Sequence, residues 1–183
     1  RIGLAYHYKG NIEKALENYF ASLKIFLPTQ NSSWKSSGKT FEVNQMALND
    51  YNNIGLIYCN QGNFDKGLEY YSLSLKIAEE INDKTGIANY YNNLGIVFFN
   101  QGNYEKALEN YLVSLKTRKE IRDKMGMANT YNNLGLIYFY QGNYDKTIES
   151  YFTSLRIREE IGDKKGIADS YNNIGNIYKE QRN

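Results

Sequence analysis

The residues best suited to binding chemistry are asparagines that recur in pairs along the chain. The pairs begin at Asn52, Asn92, Asn132 and Asn172, and each is preceded by tyrosine and followed by Leu-Gly or Ile-Gly. A side-chain amide offers two hydrogen-bond donors and an acceptor without a charge, so it can bind a peptide backbone of any sequence. Its burial also costs less free energy than the burial of an ion. The repeated pairs therefore indicate a binding function.

Few other residues are suited to catalysis or to metal binding. His7 and Cys59 are the only residues of their types, and each stands three residues before a glycine, Gly10 or Gly62. Catalysis by such a pair needs hydrogen-bond contact and an orienting third group, and no candidate for that group is evident. We expect both side chains to pack or to line a surface. A single cysteine also excludes an internal disulfide and a zinc site of several thiolates, so we predict no catalytic residue, no metal and no cofactor.

The segment 28–40 contains a partial nucleotide-binding motif. Residues 37–40 read SGKT, but Ser33 stands where the phosphate-binding loop needs its first glycine. No predicted strand precedes the segment, so we reject a nucleotide site. The only tryptophan, Trp34, lies in the same segment. It packs against neighbouring helices, is exposed, or contacts a partner, and the sequence leaves these alternatives open.

Composition and charge narrow the class of partner. The 183 residues are 42% hydrophobic and 23% charged, as in a folded chain with a substantial core. The net charge of +2, with both signs interleaved, does not favour nucleic acid or anionic lipid. The aromatic content of 15% is compatible with stacking on RNA, but the tyrosines fall mainly on core positions and no cluster of basic residues accompanies them. We therefore expect a protein or peptide partner, no nucleic acid, and no membrane contact within this segment.

The chain lacks an initiator methionine, a signal-peptide pattern and any apolar run of about 18 residues. We interpret it as a piece of a longer protein. The compartment is open, and the cytoplasm is favoured.

The elements that position the asparagines follow a fixed period. The pairs recur every 40 residues, and so do Gln-Gly-Asn motifs that begin at Gln61, Gln101 and Gln141. The glycine of each motif is suited to end a helix in the left-handed conformation, and the asparagine to cap the next helix. Half a period away, aspartates are placed to cap the helices that carry the asparagine pairs. These caps are Asp83, Asp123 and Asp163.

The period divides the chain into repeats of two helices. We predict a partial first repeat over 1–27, an inserted loop over 28–40, repeats over 41–81, 82–121 and 122–161, and the first helix of a further repeat over 162–183. The step from Gly10 to Gly62 is 52 rather than 40, which places 12 inserted residues in the segment Pro28–Thr40. Because both ends fall within a repeat, self-association through the array ends is a further expectation.

Each helix with an asparagine pair has two stripes. Tyr91, Leu94, Gly95 and Phe98 gather on one side and predict the core, where the glycine lets the second helix approach closely. The opposite stripe repeats in register without an evident partner within the chain, so we predict that it lines a groove. For the first asparagine of each pair, the alternative is a hydrogen bond to a neighbouring helix that stabilises the stack, and the groove is favoured. The candidate binding residues are Asn49, Asn52, Leu56, Asn89, Asn92, Ile96, Phe99, Asn129, Asn132, Leu136, Phe139, Asn172 and Asn176. The second asparagine of each pair, such as Asn93, projects toward the flank and either lines the groove or bonds to a neighbouring helix.

The pattern from Tyr91 to Leu115, YNNLGIVFFNQGNYEKALENYLVSL, resembles the tetratricopeptide repeat. Signature residues recur in register at Leu94, Gly95, Phe98, Gly102, Tyr104, Ala107 and Tyr111. The common repeat has about 34 residues, whereas this longer form is similar to the repeats of Pins-type polarity adaptors and to arrays ahead of histidine-kinase or other output domains in bacterial signalling proteins. The resemblance implies an all-α, right-handed superhelical solenoid of antiparallel helix pairs whose groove holds a peptide or a partner helix.

Some members of this family grip a C-terminal carboxylate with basic residues, but asparagine, leucine and isoleucine stand at the groove positions here. The expected mode is therefore asparagine contact to a peptide backbone. We predict a non-catalytic protein-interaction scaffold that is part of a larger signalling or adaptor protein. The alternative is a structural spacer or dimerisation array for an output domain, with no groove ligand.

Overall fold

The computed structural model describes residues 11–26 and 40–180, which form helices joined by short turns. The helices are α1 (Ile12–Phe26), α2 (Thr40–Asn60), α3 (Phe64–Glu80), α4 (Lys84–Asn100), α5 (Tyr104–Glu120), α6 (Lys124–Tyr140), α7 (Tyr144–Ile161) and α8 (Lys164–Glu180). These residues contain no strand, so the predicted all-α fold is confirmed. His7, Trp34 and the predicted loop before Thr40 lie outside the described residues, and Thr40 itself begins α2.

The helices begin and end at the residues that the period indicates. The side-chain oxygen of Asn103 accepts a hydrogen bond from the backbone N–H of Lys106 and caps α5, and Asn63 and Asn143 cap α3 and α7 in the same way. The glycines before these caps adopt the left-handed conformation, with φ between +72° and +78° at Gly62, Gly102 and Gly142. The predicted aspartate caps also form, since Asp123 Oδ1 accepts from the N–H of Gly126 at 2.9 Å. The local signals for helix ends are therefore confirmed.

The chain divides into two compact units, Arg1–Tyr90 and Tyr91–Asn183, and the boundary falls inside α4. In the first unit, α2 packs against α1 and α3. Its core is formed by Ala15, Tyr19, Leu23, Ala47, Tyr51, Ile54 and Ile57. In the second unit, α6 packs against α5 and α7, and α7 also packs against α8. Its buried clusters are formed by Ala107, Tyr111, Leu115, Leu134 and Ile137, and by Tyr151, Leu155, Ile174 and Ile177.

The glycine after each of the first three asparagine pairs lies against a tyrosine of the following helix. The contacts are Gly55 with Tyr71, Gly95 with Tyr111, and Gly135 with Tyr151. A Cβ at any of these glycines would lie only 2.6–2.7 Å from the ring, closer than van der Waals contact allows. The predicted packing role of the glycine is therefore confirmed. The helix-propensity cost of glycine, about 1 kcal/mol, is offset by the close packing of a buried aromatic ring.

The turns into α6 and α8 hold partly buried arginine–aspartate pairs. Arg118 of α5 is 6% exposed, pairs with Asp123 and donates from Nε to Ser114 Oγ. Arg158 of α7 pairs with Asp163 at 2.9 Å. Gly126 and Gly166 make room for the two guanidinium groups, because an added Cβ would overlap them. Each aspartate thus caps a helix with one oxygen and binds an arginine with the other.

The equivalent turn of the first unit is built without an arginine. Ala78 stands at the position of Arg118, and its side chain is completely buried. The carboxylate of Asp83 instead accepts a hydrogen bond from Gln45 Nε2 of α2 at 3.2 Å. A neutral amide therefore takes the place of the guanidinium at this turn.

Candidate functional site

The asparagine pairs of the second unit form hydrogen bonds between the helices that carry them, from α6 to α4 and from α8 to α6. Asn133 of α6 donates from Nδ2 to Oδ1 of Asn92 at 3.3 Å, and Asn173 of α8 donates from Nδ2 to Oδ1 of Asn132 at 2.7 Å. We call these two hydrogen bonds rungs. In both rungs the second asparagine of one pair bonds to the first asparagine of the preceding pair. Of the two roles weighed for the second asparagine, bonding to a neighbouring helix is therefore the one observed for Asn133 and Asn173.

These rungs orient the first asparagine of each pair. Because Oδ1 of Asn92 and Oδ1 of Asn132 accept the rung bonds, each side chain has its Nδ2 amide left to donate. No described residue accepts a hydrogen bond from either Nδ2 group, and both side chains are half-buried rather than sealed in the core. The arrangement offers N–H donors of fixed orientation at a partly exposed surface.

Apolar residues lie beside the rungs. Ile96 and Phe99, one and two turns beyond Asn92 on α4, are half-buried and pack against the cluster of Tyr111 and Leu134. Leu136 and Phe139 hold the same positions on α6 and are also half-buried. We call the surface formed by Asn92, Ile96, Phe99, Asn132, Leu136, Phe139, Asn172 and Asn176 the asparagine face of the second unit.

A pocket opens in the asparagine face between α6 and α8. It has a volume of about 300 Å³ and is lined by Leu136, Phe139, Tyr151, Asn173, Asn176, Ile177 and Glu180. Three of the candidate residues named from sequence, Leu136, Phe139 and Asn176, thus meet in one concavity. Its volume is at the lower end of the range for small-ligand sites, which suits a single side chain of a larger ligand.

Other candidate residues are placed differently. Asn129 is exposed, and its Oδ1 accepts from Arg158 Nη2 at 2.9 Å, so this side chain takes part in the arginine contacts of the turn. Asn172 of α8 is exposed.

In the first unit, the equivalent candidates lie on α2 and on the first part of α4. Asn49 is exposed, Asn52 and Leu56 are half-buried, and Asn89 of α4 is half-buried.

Cys59 packs as a small core residue, as predicted. It is 7% exposed, and its Sγ occupies the space that a Cβ on Gly67 would need. Burial raises the pKa of the Cys59 thiol, and a hydrogen bond with Tyr71 opposes that shift in part. Burial likewise raises the pKa of Tyr71, Tyr111 and Tyr151. These tyrosines are protonated at neutral pH and contribute packing.

Two features of the second unit escape sequence reasoning. The paired arginines, Arg118 and Arg158, occur 40 residues apart, but solvated basic residues do the same, so the period alone does not reveal the burial of Arg118 or the partial burial of Arg158. The second feature is a row of aromatic contacts in which Tyr104 stacks on Tyr140 at 5.5 Å and Phe139 meets Tyr144 edge-on at 6.0 Å. Residues at helix ends from different repeats form this row, and no single helical stripe contains them.

Within residues 11–26 and 40–180, no cluster of three or more His, Cys, Asp or Glu side chains is arranged to hold a metal ion. The helices of the same described part include none with the length and apolarity that a membrane span requires.

Comparison with solved structures finds the same fold. Aspartyl phosphate phosphatase F from Bacillus subtilis superposes with a TM-score of 0.79 at 12% identity, over 99% of this chain and 48% of that protein. A Signal Transduction ATPase with Numerous Domains from Pyrococcus horikoshii, which has a tetratricopeptide repeat sensor, gives a TM-score of 0.66 at 23% identity, over 95% of this chain and 28% of that one. BtubC (BKLC) from P. vanneervenii gives 0.64 at 23% identity, over 96% and 76%. The chain thus spans less than half the length of the first two proteins.

A comparison with curated protein sequences finds no match. The family model described as the tetratricopeptide repeat matches residues 46–120 and 126–183. These ranges include all four asparagine pairs and the whole of α8. Together with the helix pairs, the glycine–tyrosine contacts and the helix caps, this match shows that the chain belongs to the tetratricopeptide repeat family.

Proposed function

We propose that this chain is a non-catalytic interaction scaffold that binds an extended peptide or a partner helix along the asparagine face. The observation that carries the proposal is the fixed orientation of Asn92 and Asn132, whose oxygens are used by the rungs and whose Nδ2 groups have no acceptor among the described residues. Backbone carbonyl groups of a peptide are suitable acceptors at any sequence.

The apolar residues beside the rungs support the same proposal. Ile96, Phe99, Leu136 and Phe139 are half-buried, so they keep apolar area to cover with the side chains of a ligand. The asparagine face of α4 and α6 has no basic residue at its candidate positions. A ligand held by many phosphate contacts is therefore a poor fit, and a polypeptide is a good one.

The binding test uses a phage-displayed library of random dodecapeptides panned against the chain. We expect enriched peptides, and we expect Asn92→Ala to weaken the binding of a selected synthetic peptide about tenfold, since one or two hydrogen bonds are lost. The matched control is Asn133→Ala, which breaks the same rung but leaves Asn92 in place. It should weaken binding by less than about threefold.

Thermal melting of both variants separates binding from folding. If the asparagines served only to join neighbouring helices, the two variants would lower Tm alike and neither would change peptide affinity. Failure to enrich any peptide, or binding that is indifferent to Asn92, would overturn the proposed function.

We also propose that the array belongs to a larger signalling or adaptor protein. Support comes from the Pyrococcus horikoshii protein, in which a tetratricopeptide repeat sensor is joined to a signal-transduction ATPase.

A further inference from the structure

The pocket of the asparagine face has a lining of two kinds. Its apolar lining consists of Leu136, Phe139 and Ile177 together with the buried ring of Tyr151. Its remaining lining is polar and belongs to α8, where Asn173, Asn176 and Glu180 stand. Among the described residues, Glu180 is the only charged residue in the lining, and it is exposed to solvent.

The polar lining offers hydrogen-bond acceptors. Nδ2 of Asn173 uses one of its two hydrogens in the bond to Asn132, which orients the side chain and leaves Oδ1 able to accept from a ligand. The carboxylate of Glu180 is a second acceptor, and it carries the charge. A ligand group that enters the pocket therefore meets hydrogen-bond acceptors, one of them a carboxylate, as well as apolar side chains.

The end of α8 carries charges of both signs. Lys179 stands at the position that Phe139 holds on α6, and Glu180 follows it. Of these two residues, Glu180 lines the pocket.

We propose that this pocket binds a lysine or arginine side chain of the peptide, and that it thereby fixes the direction in which the peptide lies on the asparagine face. The proposal rests on the proposed function. Lysine and arginine have an apolar stem and a charged end, so the stem lies on Leu136, Phe139 and Ile177 while the charged end reaches Glu180. A purely apolar side chain would cover the Asn173 and Glu180 acceptors without pairing them, and an acidic one would meet like charge.

The test starts from the peptides selected by panning. We expect the enriched sequences to share a lysine or arginine at one fixed position. Replacement of that residue by norleucine, which keeps the apolar stem and removes the charge, should weaken binding on the order of tenfold, as the loss of a charge-assisted hydrogen bond does.

A double-mutant cycle assigns this loss to the pocket. In Glu180→Gln, the basic and norleucine peptides should bind within about twofold of each other, because the acceptor charge is gone. The matched control is Glu159→Gln, which removes the same charge from an exposed position of α7 outside the pocket and should retain the tenfold difference.

The outcomes separate the two proposals. If selected peptides need Asn92 but share no basic residue, or if Glu180→Gln retains the preference for the basic peptide, the pocket proposal is wrong and the proposed function stands. If the control Glu159→Gln removes the preference as fully as Glu180→Gln, the effect is general electrostatics and the pocket proposal is again wrong. If no peptide is enriched, both proposals fail.

Discussion

The two units of this chain have different residues at equivalent packing positions. At the turn between helix pairs, the second unit pairs Arg158 with Asp163, whereas the first unit leaves Ala78 at the arginine position and satisfies Asp83 with the amide of Gln45. Within the helix pair, the first unit sets Cys59 against Gly67, whereas Phe99 and Ala107 stand at the same positions in the second unit. Both units have the contact between a glycine and a tyrosine. The residues at the turn and at the Cys59–Gly67 contact are therefore interchangeable between repeats, whereas the glycine–tyrosine contact is kept.

The largest expected effect is at the arginine turn. Arg158→Ala should lower the free energy of unfolding by about 2–3 kcal/mol, because it removes the partner of a largely buried carboxylate. The loss is below that of a fully buried pair since the side chain of Asp163 is 18% exposed. Urea unfolding measures it, with the exposed residue Arg156→Ala as control.

The hydrogen bond from Gln45 in the first unit indicates a second substitution that should restore part of the stability lost in Arg158→Ala. Met125 of α6 occupies the position that Gln45 holds on α2. Adding Met125→Gln to Arg158→Ala should restore about 1 kcal/mol, because the new amide can donate to Asp163 as Gln45 donates to Asp83. No recovery would show that the two turns are not equivalent.

Alanine substitution of a glycine that contacts a tyrosine should lower the free energy of unfolding by a similar amount in both units. Gly55→Ala and Gly95→Ala should each cost about 2 kcal/mol, because the added methyl group meets the ring of Tyr71 or Tyr111 at 2.6–2.7 Å. Gly175→Ala is the control and should stabilise the chain by about 0.5–1 kcal/mol, since its Cβ meets no neighbour. Chemical denaturation gives all three values. A cost at Gly175 equal to that at Gly95 would contradict the packing explanation.

The pair of Cys59 and Gly67 should show a strong non-additive effect. Gly67→Ala alone should cost about 1–2 kcal/mol, because the methyl group needs the space of the Cys59 sulfur. The double variant Cys59→Ala with Gly67→Ala should be close to the stability of Cys59→Ala alone, since alanine is buried at the same position, Ala107, in the second unit. Additive losses would mean that this difference between the units is not a local exchange of volume.

Alkaline pH distinguishes the units through the same cysteine. Because burial raises the pKa of Cys59 in the folded chain, the folded state holds this proton more tightly than the unfolded state does. Stability should therefore be constant below about pH 8 and should fall as the pH rises above it, by less than about 1.4 kcal/mol per pH unit. Cys59→Ala should remove the fall until about pH 10, where the buried tyrosines begin to contribute. Melting curves between pH 7 and pH 10 measure the difference.

The smallest effect is expected at Gln45. Gln45→Ala removes one half-buried hydrogen bond to Asp83 and should cost about 0.5–1 kcal/mol, measured by urea unfolding. A loss as large as that of Arg158→Ala would show that the neutral amide and the guanidinium contribute equally.

Sequence reasoning recovered the parts of the fold that depend on local chemistry. The cap at Asn103 and the left-handed Gly102 follow from residue type and position, and Gly95 against Tyr111 follows from helical spacing. The burial of Arg118 was not predictable, because it depends on space left by Gly126 on the next helix. For the candidate site, spacing identified the stripe, but the rung from Asn133 to Asn92 depends on the distance between two helices. The acidic side of the pocket at Glu180 was missed because it interrupts the repeat.

The central claim is that the Nδ2 groups of Asn92 and Asn132 donate to a peptide. Side-chain amide resonances in ¹⁵N-correlated NMR spectra report on these groups directly, with assignment by the Asn92→Ala and Asn132→Ala variants. On titration with a peptide selected by panning, we predict large shifts of the Asn92 and Asn132 side-chain amides and small shifts of the half-buried Asn110 amide, which bonds within α5. Saturable peptide binding that leaves the Asn92 and Asn132 amide signals unchanged would contradict the account.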